Sequence, residues 1–201
     1  MSNQGIFDSF ETKTGVSIHV RSLTPQDAPF LVDLFENMGT DSRYNRFLQP
    51  ADNVDMDRVW SEAEHIAQEF SEDSYGLVAL VDRPEREGMP AGAARYVKIS
   101  PLRAEIAVSV RDDMQNMGIG TNLLQRLIIH AAENGIEQLH GTVQNSNTAM
   151  WAMLSKLGHR LERQSEGSYS VITIHIRDSA SRLEDWLDAA ADFSPEPQII
   201  W

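Results

Sequence analysis

Hydrophobic and polar residues alternate over residues 16–22, with Val16, Ile18 and Val20 on one face, and this two-residue period predicts a half-buried first strand. The period changes at Thr24-Pro25-Gln26-Asp27, where Thr24 is placed to cap a helix, Pro25 suits its first turn and Asp27 its positive end. Phe30, Leu31, Leu34, Phe35 and Met38 then form one apolar stripe that stops at Gly39. A second amphipathic helix is predicted over residues 55–70, with Met56, Val59, Ala63, Ile66, Ala67 and Phe70 in register. Strands follow at 76–81 and 91–98, separated by the turn-rich run Arg83-Pro84-Glu85-Arg86-Glu87-Gly88. The next strand, 105–110, turns Ile106, Val108 and Val110 one way and Glu105, Ala107 and Ser109 the other.

Beyond it the pattern predicts a helix at 119–134 closed by Gly135, a strand at 139–144, and a helix at 147–157 ended by Gly158. Strands at 159–163 and 169–176 pair across Glu166-Gly167. A last amphipathic helix, 179–192, presents Leu183, Trp186, Leu187 and Ala190 either to the core or to a second copy of the chain, and a loose tail follows with Pro195 and Pro197. The order βααβββαβαββ, with no internal repeat, indicates one mixed α/β (α+β) domain over residues 10–178, followed by a C-terminal helix and tail over 179–201.

Composition narrows the chemistry. The chain has 201 residues, 41% hydrophobic and 23% charged, which is ordinary for a globular domain able to bury a core. No cysteine is present, so disulfides, thiolate metal sites and cysteine nucleophiles are excluded. The net charge of −13 argues against nonspecific nucleic-acid binding; it mildly favours cationic partners, though keeping the chain in solution accounts for it more simply. No run approaches the roughly 20 apolar residues needed to span a bilayer, and Met1-Ser2-Asn3-Gln4-Gly5 lacks a secretory pattern, so a cytoplasmic location with no membrane partner is expected. The six histidines form no HxH or HxxxH pair, so no metal site is expected. No Gly-x-Ser-x-Gly elbow points to a hydrolase.

Gln115-Asn116-Met117-Gly118-Ile119-Gly120-Thr121 lies between a strand and an amphipathic helix. Glycines there let backbone approach a ligand and free several amides to point into one space, and the helix adds its positive end, which together make a receptor for a diphosphate. The loop is not of the GxxxxGK[ST] kind, and Leu123 stands where a dinucleotide-binding loop has its third glycine. Taken alone, such a turn is more often a plain helix cap than a binding loop.

Gln115-x-x-Gly118-x-Gly120 resembles the Q/R-x-x-G-x-G/A motif of the GCN5-related N-acetyltransferases, the GNAT family, and Asn147-x-x-Met150-x-x-Met153-Leu154-Ser155-Lys156-Leu157-Gly158 resembles that family's N-x-x-A-x-x-x-Y-x-K-x-G-F segment. Ser42-Arg43-Tyr44-x-Arg46-Phe47 and Arg103-Ala104-Glu105-Ile106-Ala107-Val108 narrow the likeness to the catalytic domains of bacterial protein lysine acetyltransferases. The resemblance covers residues 17–177. It implies a central, mostly antiparallel, twisted sheet of about seven strands with helices on both faces. The sheet would splay between the strand ending at Val110 and the strand at 139–144. In some of these relatives the domain is fused to a cyclic-nucleotide-binding or acyl-CoA-synthetase-like domain, which these 201 residues do not show, so any regulation is expected to differ.

The function implied is transfer of an acetyl group from acetyl-CoA to a primary amine by direct attack in a ternary complex, with a protein lysine as favoured acceptor and a monomer or homodimer as the working form. Alternatives are an acetyltransferase for small amines and a non-catalytic acyl-CoA sensor. The resemblance assigns acetyl-CoA to Val108, Ser109, Val110, the seven residues from Gln115 to Thr121, and Asn147. An ammonium has no lone pair, so the amine must lose a proton. Glu105, at the position that matches the family's acidic catalytic residue, is the candidate base, the alternative being a strand glutamate in an ordinary ion pair. The Val110 amide is the candidate donor to the thioester oxygen as negative charge develops there. The family's usual tyrosine acid is replaced by Leu154, with Ser155 beside it. Ser42, Arg43, Tyr44 and Arg46 either line the acceptor entrance or form a structural turn.

Overall fold

The computed structural model describes residues 8–48, 54–69, 73–84 and 86–176. In these the chain forms strands β1 (Asp8–Glu11) and β2 (Ser17–Ser22), helices α1 (Ala28–Glu36), α2 (Thr40–Phe47) and α3 (Met56–Gln68), and strands β3 (Ser74–Arg83), β4 (Arg86–Ser100) and β5 (Arg103–Val110). Helix α4 (Ile119–Glu133), strand β6 (Gln138–Gln144), helix α5 (Thr148–Leu154) and the hairpin of β7 (Arg160–Glu166) and β8 (Tyr169–His175) complete it. The predicted helix at 179–192, with Trp186 and Leu187, and Phe70 of the second helix lie outside the described residues.

All eight strands join one sheet in the order β1-β2-β3-β4-β5-β6-β8-β7, antiparallel except for β5 with β6. The eighth strand, against about seven expected, is β1, whose Asp8-Ser9-Phe10-Glu11 carries a single large apolar residue and so shows no alternation. The expected strands at 76–81 and 91–98 run longer, because pairing between β3 and β4 continues through two bulges to the hairpin turn.

One face of the sheet is covered by α4, whose Leu123, Leu124, Leu127 and Ile128 are buried with Ile18, Val20, Ala94, Leu139, Ile172 and Ile174. Each large side chain removed from water in this layer contributes about 1.5–3 kcal/mol. The other face carries α1 and α3, joined through Ala28, Val32, Ala63 and Ala67. Met56, expected on the apolar face of α3, is exposed, because helix α3 begins there and only its later turns reach the core.

Two local expectations are corrected. Residues 40–47, for which the pattern predicts no helix, form the separate helix α2, which buries Phe47 against Phe35 and Met38. Its Asp, Ser, Asn and Arg content hides the short apolar face. Thr24 caps the helix start, as expected, but one short turn ahead of α1 and not with its hydroxyl oxygen. Its amide and hydroxyl instead donate to Asp27 Oδ2 at 2.7 and 2.9 Å, closing a short 3-10 turn, Pro25–Asp27. Arg21 clamps the same carboxylate at 2.6 and 2.7 Å, and both side chains are buried.

A buried carboxylate stripped of its guanidinium, or the reverse, is an uncompensated charge, typically costing 3–5 kcal/mol. Asp27→Ala is therefore expected to lower unfolding free energy by about 3–5 kcal/mol, read from urea melts. A loss under about 1 kcal/mol would mean that the entry to α1 does not depend on the pair.

Candidate active site

The site begins where the sheet opens. β5 and β6 pair in parallel only at Arg103 with Gln138, Ala104 with Leu139 and Glu105 with His140; beyond Glu105 they diverge, as the expected splay requires. Arg111 N–H donates to Ala91 O at 3.2 Å, and ladder bonds alternate along an antiparallel pair. This phase turns the amides of Ile106, Val108 and Val110 away from β4 and towards the missing neighbour. The gap is a cavity of about 650 Å³ bounded by β5, α2, the loop before α4, β6 and α5.

At one end the loop forms a cradle. Asn116 and Gly118 both adopt left-handed backbone, φ 61° and 89°, which bends successive amides to one side. Among the described residues, no backbone carbonyl accepts from the amides between Asn116 and Thr121, and the ladder of α4 begins with Asn122 N–H to Gly118 O at 3.0 Å. A Cβ on Gly120 would sit 3.2 Å from Met153 Sδ and 3.4 Å from Val110 Cγ2, so a side chain here would crowd the close approach of α4 to β5 and α5. Gln115 does not point its side chain at the cradle. Its Nε2 donates to Ser42 Oγ and Asp112 Oδ1, both at 3.1 Å, tying the loop to α2.

At the other end, Glu105 lines the cavity beside Arg46, with Arg95 near. Burial pushes its carboxyl above the usual carboxylate range, and the attraction of Arg46 and Arg95 reduces that rise without cancelling it. Arg46, whose Nε donates to Ser109 Oγ at 3.1 Å, is pulled down to about 10 by burial and by the charge of Arg95, with Glu105 opposing, and so remains a cation at neutral pH. His140, opposite Glu105 in register, is lowered to about 4 by burial first, then by Arg103 and His175, and is a neutral neighbour. Sequence spacing scatters these groups; strand pairing collects them.

The residues fit an extended, amide-bearing arm that ends in a diphosphate: strand amides facing a slot, a nest of amides at a helix start, and a glycine where a side chain would intrude. The family described as "Acetyltransferase (GNAT) domain" matches residues 17–160. The chain belongs to the GNAT acetyltransferase family. This GNAT domain is 26% identical over 167 residues to Acetyltransferase Pat of Mycolicibacterium smegmatis, covering 78% of the chain and 45% of that protein. It is 32% identical over 100 residues to Acetyltransferase PA5475 of Pseudomonas aeruginosa, covering 49% of the chain and 53% of that protein. The chain thus spans about half the length of the curated relatives it matches. Among solved structures, the GNAT domain of S. lividans PAT superposes with a TM-score of 0.72 at 24% identity, over 84% of this chain and 96% of that one. An N-acetyltransferase from Thermoplasma acidophilum, solved in complex with coenzyme A, superposes at 0.55 and 17% identity, over 79% of this chain and 98% of that one. At these identities both show the fold.

Within this GNAT domain, Glu105, Val108, Ser109, Val110, Gln115, Asn116, Gly118, Ile119, Gly120, Thr121 and Asn147 all line the cavity. Met117 does not; its side chain packs on the main core. Asn147 caps α5, accepting Met150 N–H at 3.0 Å through Oδ1, and lines the cavity. α5 is shorter than the helix expected at 147–157, since Ser155 to Gly158 leave the helix in a turn. Leu154, at the tyrosine slot, is buried, and Ser155 is exposed with its hydroxyl donating to Ala152 O at 3.0 Å. Arg46 and Ser42 do line the cavity, whereas Arg43 stacks on Phe35 at 4.2 Å and Tyr44 is exposed.

Because Arg46 draws Glu105 downward, Arg46→Met is expected to move the Glu105 titration to higher pH, followed by carboxyl carbon NMR. A midpoint that stays or falls would show that the guanidinium does not reach this carboxylate.

Proposed function

We propose that this GNAT domain transfers an acetyl group from acetyl-CoA to a primary amine, with a lysine side chain of a protein as acceptor. The observation that carries the reading is the position of Glu105: a carboxylate with a raised pKa at the point where β5 and β6 part, in the same cavity as the amide nest. The family membership, the relatives named as acetyltransferases and the acidic net charge support it.

In this reading the nest at Asn116–Thr121 and the start of α4 hold the diphosphate, while the slot-facing amides of β5 and the Asn147 side chain hold the pantetheine arm. Glu105 takes the proton that an ammonium of pKa near 10.4 must lose before its nitrogen can attack. A raised carboxylate pKa brings base and acid closer together and makes that transfer less uphill. Val110 N–H is the donor to the thioester oxygen as charge builds on it. Bound acetyl-CoA supplies an acyl group already activated, and a thiol of pKa near 8.5 leaves as thiolate without a strong acid, so a buried Leu154 at the tyrosine slot is no obstacle.

The test is turnover of acetyl-CoA against lysine peptides and a panel of small amines. Glu105→Gln keeps shape and one acceptor oxygen but cannot take a proton, so turnover should fall on the order of 10²–10⁴-fold with acetyl-CoA affinity nearly unchanged. The deficit should shrink as pH rises towards the amine's own pKa, and the acid limb of the wild-type profile, set by Glu105, should be absent. Near-wild-type rates on lysine at neutral pH would remove Glu105 as the base. Gly118→Val forces a branched residue into left-handed backbone and should weaken acetyl-CoA binding at least about tenfold. Calorimetry showing unchanged affinity in a folded variant would remove the loop as the anion receptor.

A further inference from the structure

β1 and the turn after it, residues 8–16, precede the span matched by the family, residues 17–160. β1 is held on α4: Arg126 pairs with Asp8, lies over the Phe10 ring at 5.3 Å, and is itself positioned by Asn122 Oδ1 at 2.9 Å. The turn is equally well held. Gly15 N–H donates to Thr12 O at 3.0 Å, Thr12 N–H to Val16 O at 2.8 Å, and Val16 N–H to Thr12 Oγ1 at 3.0 Å. Lys13 sits at its tip, exposed on a fixed backbone.

Register carries that tip to the nest end of the sheet. Ile18 lies opposite Val81, Val81 opposite Met89, and Gly92, further along the same strand, opposite Val110, where β5 runs into the loop. Lys13 lines the same cavity as Asn116, Gly118, Thr121 and Asn122. The other cations on its wall are Arg46, engaged with Ser109 and Glu105 on the α2 side, and Lys156, beyond the end of α5. No carboxylate lies within ion-pair distance of the Lys13 ammonium among the described residues.

From this placement we infer that Lys13 is a binding residue for a phosphate of the CoA nucleotide, supplied by a hairpin outside the family-matched span. The inference rests on the acetyl-CoA reading above. The nest offers only partial charges, and the chain around it carries a net −13, which repels a polyanion. A cation carried on a held turn at the cavity wall offsets that repulsion. A lysine, a point charge on a flexible stem, suits a phosphate whose position relative to the turn is set by the nest.

The experiment is calorimetric titration of CoA, 3′-dephospho-CoA and S-acetylpantetheine into the full chain and into Lys13→Gln and Lys13→Arg. Lys13→Gln should weaken CoA on the order of fivefold to tenfold, with Lys13→Arg close to wild type and S-acetylpantetheine unaffected. The wild-type CoA affinity should also fall more steeply with salt than that of Lys13→Gln. If the penalty disappears with 3′-dephospho-CoA, the ribose phosphate is the partner; if it persists, the diphosphate is. Unchanged CoA affinity in a folded Lys13→Gln, or an equal loss for S-acetylpantetheine, overturns the assignment while leaving acetyl-CoA binding intact. A wild-type chain that binds no CoA overturns both readings.

Discussion

Everything at the site follows from a sheet that stops pairing with itself. β5 is bonded to β4 along its whole length but to β6 only from Arg103 to Glu105. Buried backbone amides left without partners are costly, so a splay of this kind persists only where something else satisfies them. Water can do so, and so can an extended amide-bearing chain lying in the slot. The two strands are held apart by what packs at the opening, with Gly120 of α4 against Val110 and Met153, and α5 seated behind through Leu154. α4 contributes to the hydrophobic core with one end and to the slot with the other, so the same packing that stabilises the domain also sets the width of the cleft.

The loop before α4 is braced from the opposite face of the sheet. Asp112 Oδ2 accepts from Gly39 N–H at 2.9 Å, Asp112 N–H donates to Asn37 O at 3.1 Å, and Gln115 reaches Ser42. Buried Arg111 adds bonds to Asn37, Asp113 and the Pro90 carbonyl. These links make the junction between α1 and α2 and the amide nest one mechanical unit. Arg46, two turns along α2, is thereby placed over Glu105. Burial raises the Glu105 carboxyl above its usual range, and the guanidiniums of Arg46 and Arg95 oppose that rise.

The amino-acid sequence by itself determined the elements that carry strong local signals. Alternation in β2 and β5, the apolar stripe of α4 and the Gln115-to-Thr121 loop are local patterns, and the structure repeats them within a few residues. The cavity residues were likewise legible, because a nest needs glycine and left-handed backbone, and both leave their mark on composition. What stayed hidden has no local signal. β1 has almost no alternation and exists because β2 and α4 give it partners. α2 looks polar because only Phe47 of its eight residues is buried. Asp27 reads as a helix-start carboxylate, and only the return of β2 past it shows that it is sealed under Arg21. The set of Glu105, Arg46, Arg95 and His140, like the arrival of Lys13 at the nest, is decided by strand register and helix packing between residues far apart in the chain. Tertiary structure alone settles such meetings, since the energy that fixes them lies in pairings that no short window of sequence contains.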